Sequence, residues 1–275
     1  MRTEAFLKSN LHTHTRFCDG AHTPEEIVLE AIGKGMNVIG FSGHAYTPVD
    51  ISYCMTPQDT ACYRAEIERL KVQYSDRIKI LLGLEQDLYS APPDERYDYL
   101  IGSVHYVLLD GEYCAVDHSA AYLTEAVARH CGGDVYRFAR EYYRSVAQIV
   151  DKTGCDIVGH FDLVTKFNEG GAMLDEKDPR YLGPALEALD ALLEKDVVFE
   201  VNTGAMSRGY RRLPYPSCIL LRRIAEKRGM VTLSSDAHRK EHLLYAFKDA
   251  LMLLKASGFG SVAVMTPDGW KDLPL

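Results

Sequence analysis

The sequence predicts an α/β fold built on parallel strands, and three observations predict it. Short β-branched or apolar runs alternate with amphipathic stretches of helical character, which implies parallel strands joined by crossovers. Runs such as Ile80-Leu81-Leu82 and Val197-Val198-Phe199 lack polar alternation, as strands covered on both faces do. Metal-capable side chains also stand at the end of nearly every run, and in parallel sheets such ends gather on one face.

Taken in order, residues 9–12 form the first strand. Thr23-Pro24-Glu25-Glu26 then supplies an N-cap, an early proline and an acidic first turn for a helix that Gly33 and Gly35 close. A strand over 37–42, a helix over 63–74 and strands over 78–84 and 99–104 follow. Residues 110–133 are the longest stretch without a clear strand; with Glu112, Asp117, His118 and Glu125 they predict a long loop plus helix over one end of the sheet. Further on come a helix over 134–150, a strand over 156–159, a helix over 183–195 and a strand over 197–201. A helix over 216–227 ends at Gly229, and a strand over 230–234 and a helix over 241–256 close the alternation. Residues 261–265 read as a possible eighth strand, with Pro267-Asp268-Gly269 directly after it. Both a closed or nearly closed barrel and an open doubly wound sheet fit these seven strands. No Pro/Gly/Ser-rich linker, charge block or repeat divides the chain, so one domain over 1–275 is expected.

Lys+Arg 31 against Asp+Glu 39 gives a net charge of -8, which disfavours a broad embrace of nucleic acid or anionic membrane but not a local basic pocket. Seven cysteines at 18, 54, 62, 114, 131, 155 and 218, with no CxxC, read as free thiols of a cytoplasmic protein. Residues 1–10 carry Arg2, Glu4 and Lys8 without an apolar core, and no run of 18 apolar residues occurs, so neither secretion nor membrane spanning is expected.

His12 and His14 lie two apart on a strand, so both imidazoles face one side, and the same holds for Asp236 and His238. Ten histidines in this chain give roughly 0.4 His-x-His pairs by chance, so one pair decides nothing. Convergence decides more. Six of the ten histidines (12, 14, 44, 105, 160 and 238) stand at strand ends, with Asp19, Glu85 and Asp236 beside them. A mixed histidine and carboxylate set suits zinc, iron or manganese. Nine candidates exceed the needs of one tetrahedral ion and suggest two or three ions with bridging groups, able to activate water and stabilise charge on a transferring phosphoryl group.

Leu11-His12-Thr13-His14, Cys18-Asp19-Gly20, Gly43-His44, Leu84-Glu85, Ser103-Val104-His105, Gly159-His160-Phe161-Asp162-Leu163 and Ser235-Asp236-Ala237-His238 together resemble the PHP (polymerase and histidinol phosphatase) superfamily, in the expected order. Phe17-Cys18-Asp19-Gly20, Ser103-Val104-His105-Tyr106 and the 159–163 motif are similar to its histidinol-phosphatase branch. The resemblance implies a distorted (β/α)7 TIM-like barrel and three divalent metal ions, Zn, Mn and/or Fe. One ion would take His12, His14, Glu85 and Asp236; a second would share Glu85 and take His105 and His160; a third would take Asp19, His44 and His238. The implied reaction is hydrolysis of L-histidinol phosphate in histidine biosynthesis, with a metal-bridging hydroxide held by Glu85 and Asp236 as nucleophile. A phosphoesterase or exonuclease acting on nucleotides, sugar phosphates or DNA ends is the alternative, and a metal-stabilised non-catalytic module a third.

Arg16, Lys166 and Arg208 are the candidates to bind the phosphate of a small-molecule monoester, since fixed cations orient such an ester. Asp162 and Asn202 are expected to orient ligand imidazoles. Glu112 or Asp117 is expected to meet the substrate's imidazole and amine, while histidines 22, 118, 130 and 242 read as ordinary surface or capping residues.

Overall fold

The computed structural model describes residues 8–93, 95–266 and 269–275. Arg2 and Glu4 of the N-terminal reading, and Pro267 and Asp268 of the last turn, lie outside the described residues. The strands are β1 (Ser9–Asn10), β2 (Val38–Phe41), β3 (Lys79–Asp87), β4 (Tyr99–Ser103), β5 (Tyr106–Leu109), β6 (Glu112–Ala115), β7 (Ile157–Val158), β8 (Val198–Asn202) and β9 (Met230–Ser234), followed by β10 (Ser261–Thr266) and β11 (Gly269–Pro274).

Seven of them form one all-parallel sheet in the order β1-β2-β3-β4-β7-β8-β9. A parallel bridge between Thr13 and Ala237, just past β1 and β9, brings the two edges together. There the His14 amide donates to the Ala237 carbonyl (2.9 Å) and the Ala237 amide to the His12 carbonyl (3.1 Å). That seam decides for a nearly closed seven-stranded barrel over an open sheet. All seven sequence-derived strands lie in it, because apolar runs buried on both faces are read without ambiguity of register.

The helices are α1 (Pro24–Gly33), α2 (Pro57–Gln73), α3 (Ala120–Cys131), α4 (Val135–Val146), α5 (Ile149–Thr153), α6 (Pro179–Leu193), α7 (Gly204–Ser207), α8 (Cys218–Glu226) and α9 (Phe247–Ala256). Capping boxes start α1 at Thr23 with Glu26 and α2 at Thr56 with Asp59, and the second explains why α2 begins ahead of the expected residue 63. The helix expected over 134–150 is two, α4 and α5, separated at Ala147 and Gln148. The one expected over 241–256 starts late, since a short 3-10 turn at Lys240–His242 gives way to Ala246 at φ 54°, a left-handed residue that interrupts the helix.

Two hairpins depart from the sequence reading. Within 106–115, β5 and β6 pair antiparallel around Asp110 (φ 49°) and Gly111 (φ 84°), the left-handed pair that a tight type I′ turn demands. The expected eighth strand exists as β10, but it pairs antiparallel with β11 outside the barrel sheet. From there it sends Met265 into an interior cluster with Leu11, Leu81, Tyr99, Ile101 and Ile157.

Tyr99 fills the barrel interior. Its phenol donates to the carbonyls of Leu11 and Phe41, so a buried polar atom is satisfied in an otherwise apolar space. Gly40 and Gly83 make room for it: a Cβ at either would stand 2.3 or 2.2 Å from the Tyr99 ring system, closer than atoms can approach. The large apolar cores lie outside the barrel, between strands and helices. All seven cysteines are free thiols. Among the described residues no helix is long and apolar enough to cross a membrane.

Candidate metal centre

The strand C-terminal ends gather the polar residues. His12 and His14 follow β1, His44 follows β2 and bridges to Glu85 of β3, His105 follows β4, His160 follows β7, and Asp236 and His238 follow β9. All nine side chains expected as ligands come together here. Glu85 is the hub: its Oε2 is 2.9 Å from His44 Nδ1, 3.2 Å from His12 Nε2 and 3.5 Å from His14 Nε2. Its Oε1 is 3.1 Å from His160 Nε2 and 3.6 Å from His105 Nε2 and accepts from the Ser103 hydroxyl (2.6 Å). Asp236 Oδ1 lies 3.2 Å from His14 Nε2 and 3.4 Å from His238 Nδ1, and Asp19 Oδ2 lies 3.1 Å from His238 Nε2.

Two carboxylates behind the cluster fix the imidazoles. Glu200 Oε1 meets His12 Nδ1 at 2.6 Å, and Asp87 Oδ2 meets His105 Nδ1 at 3.2 Å. Each bond leaves Nε2 turned inward, the tautomer control that metal-ligating histidines use. Glu200 is itself held by the Asn202 amide (2.9 Å), the His160 backbone N–H (2.8 Å) and Ser234.

The charges are strongly coupled. Burial works against a charge on His12, but Glu200, Glu85 and Asp236 outweigh it and raise its pKa well above the ordinary value. Burial, with His238 and His44 close by, lowers His14 to about 3. Glu85 is driven well below the usual carboxylate range: burial opposes this, and His12 and His44 prevail. Each histidine must be neutral at the nitrogen it offers to a cation.

The residues fit divalent ions. Donor atoms of His14, Asp19, His44 and His238 lie within 4.8 Å of one another, as do those of His12, His14 and Asp236 and those of His44, Glu85 and His105. Moreover, His12 Nε2, His14 Nε2, Glu85 Oε2 and His160 Nδ1 are buried atoms without a hydrogen bond. Three of them, on His12, His14 and Glu85, face one another within the cluster, a cost that cations would remove. Against the expected partition, His14 also joins the Asp19 group and His44 the Glu85 group, so neighbouring groups share more imidazoles than foreseen.

The model of the PHP domain family matches residues 10–204. The chain belongs to the PHP domain family. A Deinococcus radiodurans relative named "Probable histidinol-phosphatase" is 30% identical over 260 residues, covering 90% of this chain and 92% of its own. Among solved structures, a Listeria monocytogenes protein aligns with TM-score 0.77 at 20% identity, covering 88% of this PHP chain and 99% of the other. The Lactococcus lactis histidinol phosphate phosphatase, solved with zinc, L-histidinol and phosphate, aligns with TM-score 0.68 at 23% identity over 96% and 99% of the two chains. Both structures carry the barrel described above.

The centre of this PHP domain opens into a cavity of about 330 Å³ that also contains Asp50, Tyr53, Tyr106, Asp117, Lys166 and Arg208. Arg208 donates to Asp236 Oδ2 (3.0 Å) and to the Asp236 carbonyl (3.1 Å), and Lys166 donates to Asp117 through its carbonyl (2.9 Å) and Oδ2 (3.1 Å). The expectations for four residues need correction. Arg16 is exposed and does not line the cavity: the 15–20 loop closes on itself and to His22 through its backbone and sends Asp19, not Arg16, to the centre. Asp162 accepts from the Ser217 amide (2.9 Å) instead of an imidazole, and burial lifts its pKa to about 7 although Arg211 pulls it down. Asn202 acts one step further back, on Glu200. Glu112 pairs with Arg129 and His130 away from the cavity, whereas Asp117 lines it.

Glu200 and Asp87 received no role from the sequence. Asp87 lies two residues beyond Glu85 on β3 and so shares its face, and Glu200 is a lone carboxylate within an apolar strand; both were usable signals.

Proposed function

We propose that this chain hydrolyses L-histidinol phosphate to L-histidinol and phosphate, in histidine biosynthesis, with three divalent ions of the Zn, Mn or Fe class. The observation that carries the reading is the set of buried atoms without a hydrogen bond at the hub of the cluster, His12 Nε2, His14 Nε2 and Glu85 Oε2, beside a cavity whose wall carries Glu85, Asp236, Arg208 and Lys166. The relatives' names supply the substrate. A cavity near 330 Å³ suits a small monoester, and seven free thiols fit a cytoplasmic location.

Glu85, Asp236, Asp19 and the six histidines would hold the ions. Bound divalent ions would lower the pKa of a water and neutralise phosphate oxygens. The chain's own residues do the rest. Glu200 and Asp87 keep His12 and His105 in the tautomer that presents Nε2. Arg208, whose pKa is raised chiefly by Asp236 against the effect of burial, stays cationic and gives its fork to the phosphate and to Asp236 together. Lys166 supplies a second positive point on the wall. Arg208 and Lys166 would hold the ester over the residues that bind the ions, which orients it for attack.

Phosphate release from histidinol phosphate, sugar phosphates and nucleotides, measured on protein whose metal content is determined in parallel, tests this. A preference for histidinol phosphate above about tenfold, about 1.4 kcal/mol at the transition state, is expected. A smaller preference removes the substrate assignment, and metal content near zero with no recovery on adding Zn, Mn or Fe removes the chemistry.

A further inference from the structure

Pairing the charges in the cavity leaves one carboxylate over. Asp19, Glu85 and Asp236 belong to the metal cluster, and Arg208 is joined to Asp236. Lys166 is joined to Asp117. Asp50, the remaining carboxylate on the wall, pairs with no lysine or arginine among the described residues. It is nevertheless a placed group: Oδ1 accepts from the Ser52 amide (2.9 Å) and Oδ2 from the Tyr106 phenol (3.0 Å). Hydrogen bonds from Ser52 first, and from Tyr106, keep its pKa low against the opposing effect of burial, so it is anionic at neutral pH. The imidazole of His118 stands near it at the same cavity wall.

A chain of rings connects this carboxylate with the metal cluster. The Tyr53 ring stands edge-on to His44 with centroids 4.7 Å apart, and it stacks on Tyr106 at 6.4 Å. Tyr106 in turn ends on Asp50. The cavity therefore has a floor for the phosphate and, beyond the two tyrosines, a fixed anion that no lysine or arginine of the described residues pairs with.

We infer that Asp50, held by Tyr106 and Ser52, binds the positively charged end of the substrate and so selects phosphate esters of amino alcohols. This rests on the proposed histidinol phosphate reading, because that ester carries an ammonium beside its phosphate-bearing carbon. A charge-assisted bond to an ordered carboxylate discriminates against esters lacking the cation. Asp50 touches neither a metal ligand nor the reacting phosphorus in this arrangement, so it affects binding more than turnover.

The test uses metal-loaded enzyme and three esters: histidinol phosphate, phosphoethanolamine, which keeps only the ammonium, and phenyl phosphate, which has no cation. Asp50→Asn is expected to raise KM for the two cationic esters about tenfold or more with kcat within about threefold, and to leave kcat/KM for phenyl phosphate within about twofold. Tyr106→Phe should shift the same two esters in the same direction by less, and Asp50→Glu should restore part of the loss. Equal losses on all three esters, or none on any, overturn the inference. Wild-type enzyme that does not prefer histidinol phosphate to phenyl phosphate removes the substrate reading instead, and the ratio of phosphoethanolamine to phenyl phosphate in Asp50→Asn still decides the role of Asp50.

Discussion

The inner half of the metal centre and its outer half are built differently. In the inner half, His12 and His105 each lean on a buried carboxylate, Glu200 or Asp87, and their rings stand 5.9 and 5.1 Å from that of His160. In the outer half, the His14 ring lies only 4.3 Å from His44 and 4.1 Å from His238, and no carboxylate behind them plays the part of Glu200 among the described residues. The carboxylate that gathers this half, Asp19, is 33% exposed, against 1% for Glu85. Preorganised, desolvated ligands bind an ion tightly; crowded imidazoles with a half-exposed carboxylate bind one exchangeably. On that contrast an ion in the inner half would be held more firmly than one in the outer half, at the mouth of the cavity.

Four substitutions probe that contrast. Glu85→Gln strikes both halves, since Glu85 touches five of the six clustered histidines. Activity should fall by about three orders of magnitude, about 4 kcal/mol, with metal lost throughout; retention of full metal content would show that the halves do not depend on a common bridge. Glu200→Gln should weaken the inner half alone, lowering metal affinity or activity by about 10- to 100-fold in a chelator competition, and a loss confined to one ion equivalent identifies which half it serves. Asp19→Asn should strip the outer half first: elemental analysis after dialysis is expected to lose one equivalent while the rest stays. Uniform loss would mean that the two halves do not differ in exchange. Smallest is Asn202→Ala, which removes the amide holding Glu200 and the oxygen that accepts from the Gly204 N–H and should cost less than about tenfold in activity, near 1 kcal/mol; a larger effect would make Asn202 part of the centre itself.

Much of this was legible because β strands buried on both faces leave unbroken apolar runs, and because parallel strands deliver their C-terminal residues to one rim. His12, His44, Glu85, His105, His160 and Asp236 could be gathered on that argument before any coordinates. What the sequence concealed is which way a rim residue faces. Asp162, two residues past His160, turns outward to Ser217, while Glu200, mid-strand, faces His12. Strand periodicity separates two faces but does not tell barrel interior from helix-covered exterior when both are closed to solvent. The β5–β6 hairpin was missed for a different reason: Glu112, Tyr113 and the turn at Asp110 and Gly111 look like loop, although Asp-Gly between Leu109 and Glu112 is a recognised hairpin signal.

The seam between Thr13 and Ala237 has a consequence for biosynthesis. Asn10 donates to Ser235 across 225 positions, and His238 meets Asp19 across 219. On the ribosome, the first histidines emerge long before the segment that completes their coordination. A nascent chain carrying only His12, His14 and His44 has an unfinished chelator, without Asp236, His238 or the strand that closes the ring. The full ligand set thus forms only when the barrel closes, and a polypeptide interrupted before residue 236 has no complete centre with which to act.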